Sequence, residues 1–206
     1  MLSGTFPTRL KYAIVKLLLK KGNKANAANY RPISLLTSFS KVLEKMIYDR
    51  LLKYSETNNI LAIEQFGFRI PSSTEKASYK LIDDILNVLH NRMVVGGVFC
   101  DLQKAFNCVN HNILLTKLEF YGITEITYKL IKSYLHGRYQ RVVLNNHFSS
   151  SCSNWEEITH GDLKDQYLVY YIFYFILKTY CKKTNENSKI VLFADDTSMI
   201  ITNPNP

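Results

Sequence analysis

Apolar residues crowd positions 10–19 (LKYAIVKLLL) and stop at Lys20-Lys21-Gly22-Asn23, the profile of a strand that ends in a turn. A polar connector, 24–29, leads into Tyr30-Arg31-Pro32-Ile33, where Pro32 disfavours helix before it and sets Arg31 in extended backbone. From about residue 40 to 54 the period changes. Leu43, Met46, Ile47, Leu51 and Tyr54 recur at helical spacing, with Ser38 or Ser40 as caps. A second helix is predicted from Ser72, in capping-box spacing with Glu75, to about Arg92. Its stripe of Ala77, Leu81, Ile85 and Leu89, widened by Ile82 and Leu86, is expected to face the core. Asp83-Asp84 falls on the opposite side and reads as solvated surface.

Val94 to Cys100 reads as a buried strand, with Gly96-Gly97 letting something approach the backbone closely. Two helical segments follow, about 110–121 and 124–136, stopped by Gly122 and Gly137. A strand is predicted at 139–144 and a polar loop at 145–154. Residues 155–181 resist assignment, and 190–202 form a closing hairpin. Strands and helices mix without a repeating βαβ period, which favours an α+β fold over a doubly wound sheet.

At 206 residues the chain has room for one large domain or two small ones, and 47% hydrophobic with 21% charged residues excludes wholesale disorder. Cys100, Cys108, Cys152 and Cys181 form no CxxC pair, so a zinc site is not expected and a reduced intracellular compartment is. The longest apolar stretch, Tyr167 to Leu177, falls short of the ~20 residues a bilayer needs, and no signal peptide precedes the basic region. A protein of the cytoplasm or nucleus, with no membrane partner, is expected. The net charge of +9 is unevenly spread: residues 1–43 hold eight Lys or Arg and no acid before Glu44. That concentration suits a surface that meets phosphates.

The candidate chemistry lies at strand ends. Asp101 seals the run 94–100, and Asp195-Asp196 sits between the apolar flanks Ile190–Phe193 and Met199–Ile201. A lone Asp closing one strand and an Asp-Asp pair in a hairpin turn suggest a two-metal phosphoryl-transfer centre. Strand ends hold carboxylates rigidly, and two divalent cations need a shared set of them.

Five segments then carry a resemblance: KKGNKANAANYRPISLL (20–36), QFGFRIPSST (65–74), FCDLQKAFNCVNHNILLTKLEFYGI (99–123), SYLHGRYQRVVLN (133–145) and LFADDT (192–197). Together and in this order they resemble the reverse transcriptase domain of non-LTR retrotransposons, the jockey-like, LINE-type elements. The resemblance implies an α+β fingers-and-palm polymerase core, an antiparallel palm sheet packed on helices. Residues 1–92 would be fingers-like and 93–206 palm-like. It also implies an RNA-directed DNA polymerase that works on an RNA template, a DNA primer and deoxynucleoside triphosphates.

By the same resemblance Asp101, Asp195 and Asp196 are the catalytic carboxylates and ligands of two Mg2+ ions, with Mn2+ as a substitute. The backbone carbonyl of Leu102 completes one coordination sphere. Phe106 stands where relatives carry the bulky aromatic that excludes a ribose 2′-hydroxyl. Arg69 matches the fingers arginine that contacts the triphosphate, a task suited to a bidentate guanidinium. Lys20, Lys21, Lys24 and Arg31 are expected to contact nucleic-acid phosphates.

The chain also departs from the family. Asn107 follows the gate where relatives usually carry Asp. Relatives open a supporting helix with a Gly-Val-Pro-Gln-Gly-Ser turn, and this chain has Glu157-Ile158-Thr159-His160-Gly161-Asp162, in which only Gly161 survives to contact nucleotide. Asp162 would add negative charge near a triphosphate. The apolar 163–177 is expected to persist as packing. The chain stops after the hairpin, so a thumb is expected to be missing. A truncated, partly degenerate copy, inactive but still able to bind nucleic acid, is the alternative to a working enzyme.

Overall fold

The computed structural model describes residues 3–67, 69, 72–101, 109–145, 150–159, 168, 171, 172, 175, 188–194 and 196–204. In chain order the strands are β1 (Tyr12–Leu19), β2 (Tyr30–Leu35), β3 (Val94–Asp101), β4 (Tyr139–Asn145), β5 (Ser150–Cys152), β6 (Glu156–Glu157), β7 (Ser188–Phe193) and β8 (Asp196–Asn203). The helices are α1 (Ser38–Thr57), α2 (Thr74–His90), α3 (His111–Phe120) and α4 (Glu125–Leu135). This is the expected mixed α+β content. By packing, the chain forms two units, each from two separate stretches: 1–50 with 106–169, and 51–105 with 170–206. Among the described residues no helix is long and apolar enough to cross a membrane.

In the first unit β1 is the hub of the sheet. It pairs antiparallel with β2 and parallel with β4, and β4 adds β5 and β6, both antiparallel. The mostly apolar run alternates: Ala13 and Val15 are buried, while Tyr12 and Lys16 face out. The buried side joins a core that includes Phe6, Ile47, Leu114, Leu118, Ile131 and Tyr134. Arg138 is sealed inside this unit. Its guanidinium lies 4.4 Å over the Tyr134 ring and 3.9 Å from Glu44, and Nη1 donates to the Tyr134 carbonyl at 3.2 Å. A buried cation survives only with such company.

The helix ends are set by local side chains. Thr37, not Ser38 or Ser40, caps α1, its Oγ1 accepting the Ser40 N–H at 3.3 Å. For α2 the cap is Ser73, one residue beyond the expected Ser72, its hydroxyl accepting the Lys76 N–H. Asn110 caps α3 by accepting from Asn112 and Ile113. Gly122 and Gly137, at φ +81° and +65°, supply the left-handed turns that stop α3 and α4.

The second unit is built on an antiparallel sheet, β3-β8-β7, with α2 packed against all three strands. Here α2 departs from expectation. Its buried face runs through Ala77, Asp84 and Val88, while Ile82, Leu86 and Leu89 are exposed. Asp84, expected on solvated surface, is only 2% exposed. It can be buried because Lys80 and Lys189 reach it at 2.8 and 2.7 Å.

β3 is not the buried strand its sequence suggested. Among the described residues it is a sheet edge, with Phe99 68% exposed, and the group that closes on Gly97 is the Phe99 ring, 3.0 Å from where a Cβ would sit. The expected polar loop at 145–154 contains β5, paired with β4. In the stretch that resisted assignment, Leu168, Tyr171, Ile172 and Phe175 are helical and buried at i, i+3, i+4, i+7 spacing, and the Tyr171 hydroxyl donates to the Leu51 carbonyl at 3.3 Å.

Candidate active site

The hairpin β7–β8 is anchored by its apolar half. Ile190, Val191 and Leu192 are buried, and the register closes at Phe193 opposite Asp196. Between these strands the chain turns at Ala194. Tight hairpin turns favour positive φ at their first central residue, and Ala194 adopts +57°.

β8 continues the register to β3 on its other side, where Asp101 lies directly opposite Asp196. Directly opposed positions in an antiparallel pair lie on one face with Cβ atoms about 5 Å apart, and like charges placed so are destabilising. Asp196 is exposed, and no lysine or arginine among the described residues forms an ion pair with it. Aspartates at directly opposed strand positions are hard-oxygen donors of the kind that divalent cations take. The residues therefore fit the metal that the sequence implied. Among the described residues no group of three His, Cys, Asp or Glu could hold a metal, but the expected triad includes Asp195, which is not among them. Leu102, Phe106 and Gly161 also lie outside the described residues, and Asp101 is placed by its backbone.

Arg69 belongs to the same unit as the carboxylates. It is half-buried, and one N–H donates to the Ala62 carbonyl at 3.1 Å. The segment before it runs alongside β7: Gln65 bridges Leu192 in parallel, Phe66 N–H donates to the Leu192 carbonyl, and Leu192 N–H donates to the Glu64 carbonyl, both at 2.8 Å. The sequence marked this segment only as a motif. Its contact with the hairpin had no signal beyond the motif itself, Gln65-Phe66-Gly67.

Lys20, Lys21, Lys24 and Arg31 lie in the first unit, all exposed, around the β1–β2 connection. That connection is stitched by its asparagines and tyrosine: Asn29 Nδ2 donates to the Asn23 carbonyl at 2.9 Å and the Tyr30 hydroxyl to the Lys24 carbonyl at 3.0 Å. A groove of about 510 Å³ beside it is lined by residues that include Lys16, Lys24, Tyr30 and Val143. Along the same exposed sheet face the Tyr12 ring stacks on Tyr139 at 5.4 Å, and Arg141 sits 4.7 Å over Trp155. The sequence reading did not single out these aromatics, which are the ring type that unpaired bases stack on. Glu157, opposite Tyr139, brings an acid to this edge.

Comparison with known proteins covers nearly the whole chain. The family model described as reverse transcriptase (RNA-dependent DNA polymerase) matches residues 19–206. The chain is 29% identical over 201 residues to the RNA-directed DNA polymerase from mobile element jockey of Drosophila melanogaster, a match that covers 96% of this chain and 22% of that protein. It is 34% identical over 151 residues to the probable RNA-directed DNA polymerase from transposon BS of the same organism, covering 70% of this chain and 16% of that one. The chain thus spans about a fifth of the length of these curated relatives.

Among solved structures, apo telomerase from Candida tropicalis truncated from its C-terminal domain aligns with a TM-score of 0.60 at 11% identity, over 95% of this chain and 44% of that one. Telomerase from the same organism in complex with a fragment of telomeric RNA aligns at 0.58 and 10% identity, over 95% and 37%. These likenesses carry the fold.

Proposed function

The chain belongs to the reverse transcriptase family, as a jockey-like domain of a non-LTR retrotransposon, and from that premise we propose that Asp101, Asp195 and Asp196 hold two divalent cations, Mg2+ or Mn2+, for nucleotidyl transfer to a primer 3′-hydroxyl. The observation that carries this reading is the register that sets Asp101 opposite Asp196. When bound, the cations lower the pKa of the primer hydroxyl and neutralise charge on the triphosphate and departing pyrophosphate. The chain's part is to hold Asp101 and Asp196 on paired strands, so that little reorganisation is needed when the charge develops. The Leu102 carbonyl adds a ligand, and the Phe106 ring excludes a ribose 2′-hydroxyl. Gly161 leaves room for the nucleotide. Arg69, with one N–H fixed on Ala62, turns the rest of its guanidinium fork to the triphosphate. Lys20, Lys21, Lys24 and Arg31 hold the phosphates of the RNA template, and the DNA primer and deoxynucleoside triphosphates complete the partners. The telomerase structure with telomeric RNA supports an RNA partner for this fold.

A second reading rests on the stretch 157–162, where Glu157 and Asp162 replace the neutral turn of relatives. In that reading the chain binds nucleic acid without turnover. Primer extension on an RNA template with Mg2+ or Mn2+ decides between them, comparing the chain with Asp195→Ala. Incorporation by the chain and not by the variant is expected from a working site, and equal incorporation by both overturns catalysis. Incorporation by neither, with binding that weakens steeply with salt and ignores loss of Asp101 or Asp195, establishes the second reading.

A further inference from the structure

Gly67 ends the segment that runs along β7, and it is buried against the turn that carries the paired carboxylates. A Cβ there would lie 3.0 Å from Ala194 Cα and 3.1 Å from the Phe193 carbonyl carbon, and closer still to the Ala194 amide nitrogen. The backbone of Gly67 is not in the left-handed region, so space and not conformation demands glycine here. The segment cannot retreat easily. It is tied to Leu192 by the hydrogen bonds of Glu64 and Phe66, the buried Gln65 donates its Nε2–H to the Gly67 carbonyl at 3.1 Å, and Arg69 closes the loop on Ala62. What it touches is strained. Ala194 holds a left-handed φ of +57°, which is unfavourable for a non-glycine residue and persists only when its surroundings enforce it.

We propose that Gly67 is a positioning residue for the carboxylate turn, with Gln65 holding it in place: the bare backbone at 67 seats Ala194, and through it the next two residues, Asp195 and Asp196. The consequence for metal binding rests on the two-cation reading above, and the consequence for the turn does not. The same brace carries Arg69, so one element registers both the carboxylates and the candidate triphosphate arginine. Metal and nucleotide sites tolerate displacements of only about 0.5 Å, and one methyl at 67 demands more than a few tenths.

The test uses the full chain and two readouts: Mn2+ affinity, from the electron paramagnetic resonance signal of free Mn2+, and amide exchange of 188–203 by mass spectrometry. Gly67→Ala should weaken Mn2+ binding and speed exchange at the turn, each about tenfold, while exchange in α3 and α4 stays unchanged. Gln65→Met, which adds no bulk at the turn, should act in the same direction by about threefold. A folded Gly67→Ala protein with unchanged affinity and exchange overturns the proposal. If that variant does not fold, unchanged exchange in Gln65→Met overturns it instead. Asp196→Asn separates the two layers: equal Mn2+ binding with and without that carboxylate removes the metal reading, and turn exchange alone then decides the brace.

Discussion

Asp83-Asp84 in α2 and Asp195-Asp196 in the β7–β8 hairpin are the same dipeptide in two settings. Asp84 is buried and receives both Lys80 and Lys189 on one oxygen. Burial pushes its pKa up, but the hydrogen bonds from Lys189 and Lys80 outweigh that and hold it below the usual carboxylate value. Asp196 is exposed and stands opposite Asp101, with no protein cation paired to it among the described residues. A carboxylate whose charge the protein already cancels is part of the scaffold. One set opposite a second aspartate, as Asp196 is, would on the proposed reading take its cation from solution. The dipeptide carries none of this; the neighbours do.

The largest effect should follow from breaking the first pair. Asp84→Asn keeps the volume and removes the charge, which leaves two ammonium groups beside a neutral amide. One-sided removal in a fully buried pair costs about 3–5 kcal/mol, but these lysines are 47% and 46% exposed and recover part of their hydration. A loss of about 2 kcal/mol by urea unfolding is therefore expected. Asp83→Asn should stay within about 0.5 kcal/mol. Equal losses at the two positions would break the contrast inside α2.

The same carboxylate sharpens the comparison through pH. A folded pKa below the unfolded one means stabilisation that is fully present above the unfolded value, about 3.9, and lost as pH falls through the folded value. The stability gap between the wild-type chain and Asp84→Asn should shrink as pH drops below about 4. A gap that stays constant in acid would show that shape, not charge, makes the site.

What the sequence could and could not tell follows from the same physics. The hairpin, the two helices stopped by Gly122 and Gly137, and the strand 139–144 were legible because glycine conformation and short-range period act locally. The face of α2 was not. Its apolar arc is wide enough for two stripes, and the choice between them depends on Lys189, a residue far away in sequence that makes burial of Asp84 tolerable. β3 misled because an apolar edge strand and an apolar central strand look alike along the chain. Of the candidate site, the carboxylates were legible as a pattern, and their register across β3 and β8 required the fold. Gly67 stood in a motif, but its use against Ala194 depends on a non-local approach that no spacing encodes.

The smallest expected effect has the opposite sign. Like charges at directly opposed strand positions repel, and Asp101 and Asp196 hold such positions, so Asp196→Asn should raise thermal stability in a chelator, by up to about 0.5 kcal/mol. Mn2+ bound only by the folded chain stabilises it in proportion to the logarithm of its concentration over the dissociation constant, and that gain should vanish in the variant. Thermal unfolding with and without Mn2+ reads both changes in one experiment. Loss of stability in chelator, together with an undiminished Mn2+ gain, would make Asp196 a scaffold residue like Asp84 and erase the contrast. A small gain in chelator and no response to Mn2+ is the signature of a carboxylate kept at a cost to the fold because its partner comes from outside.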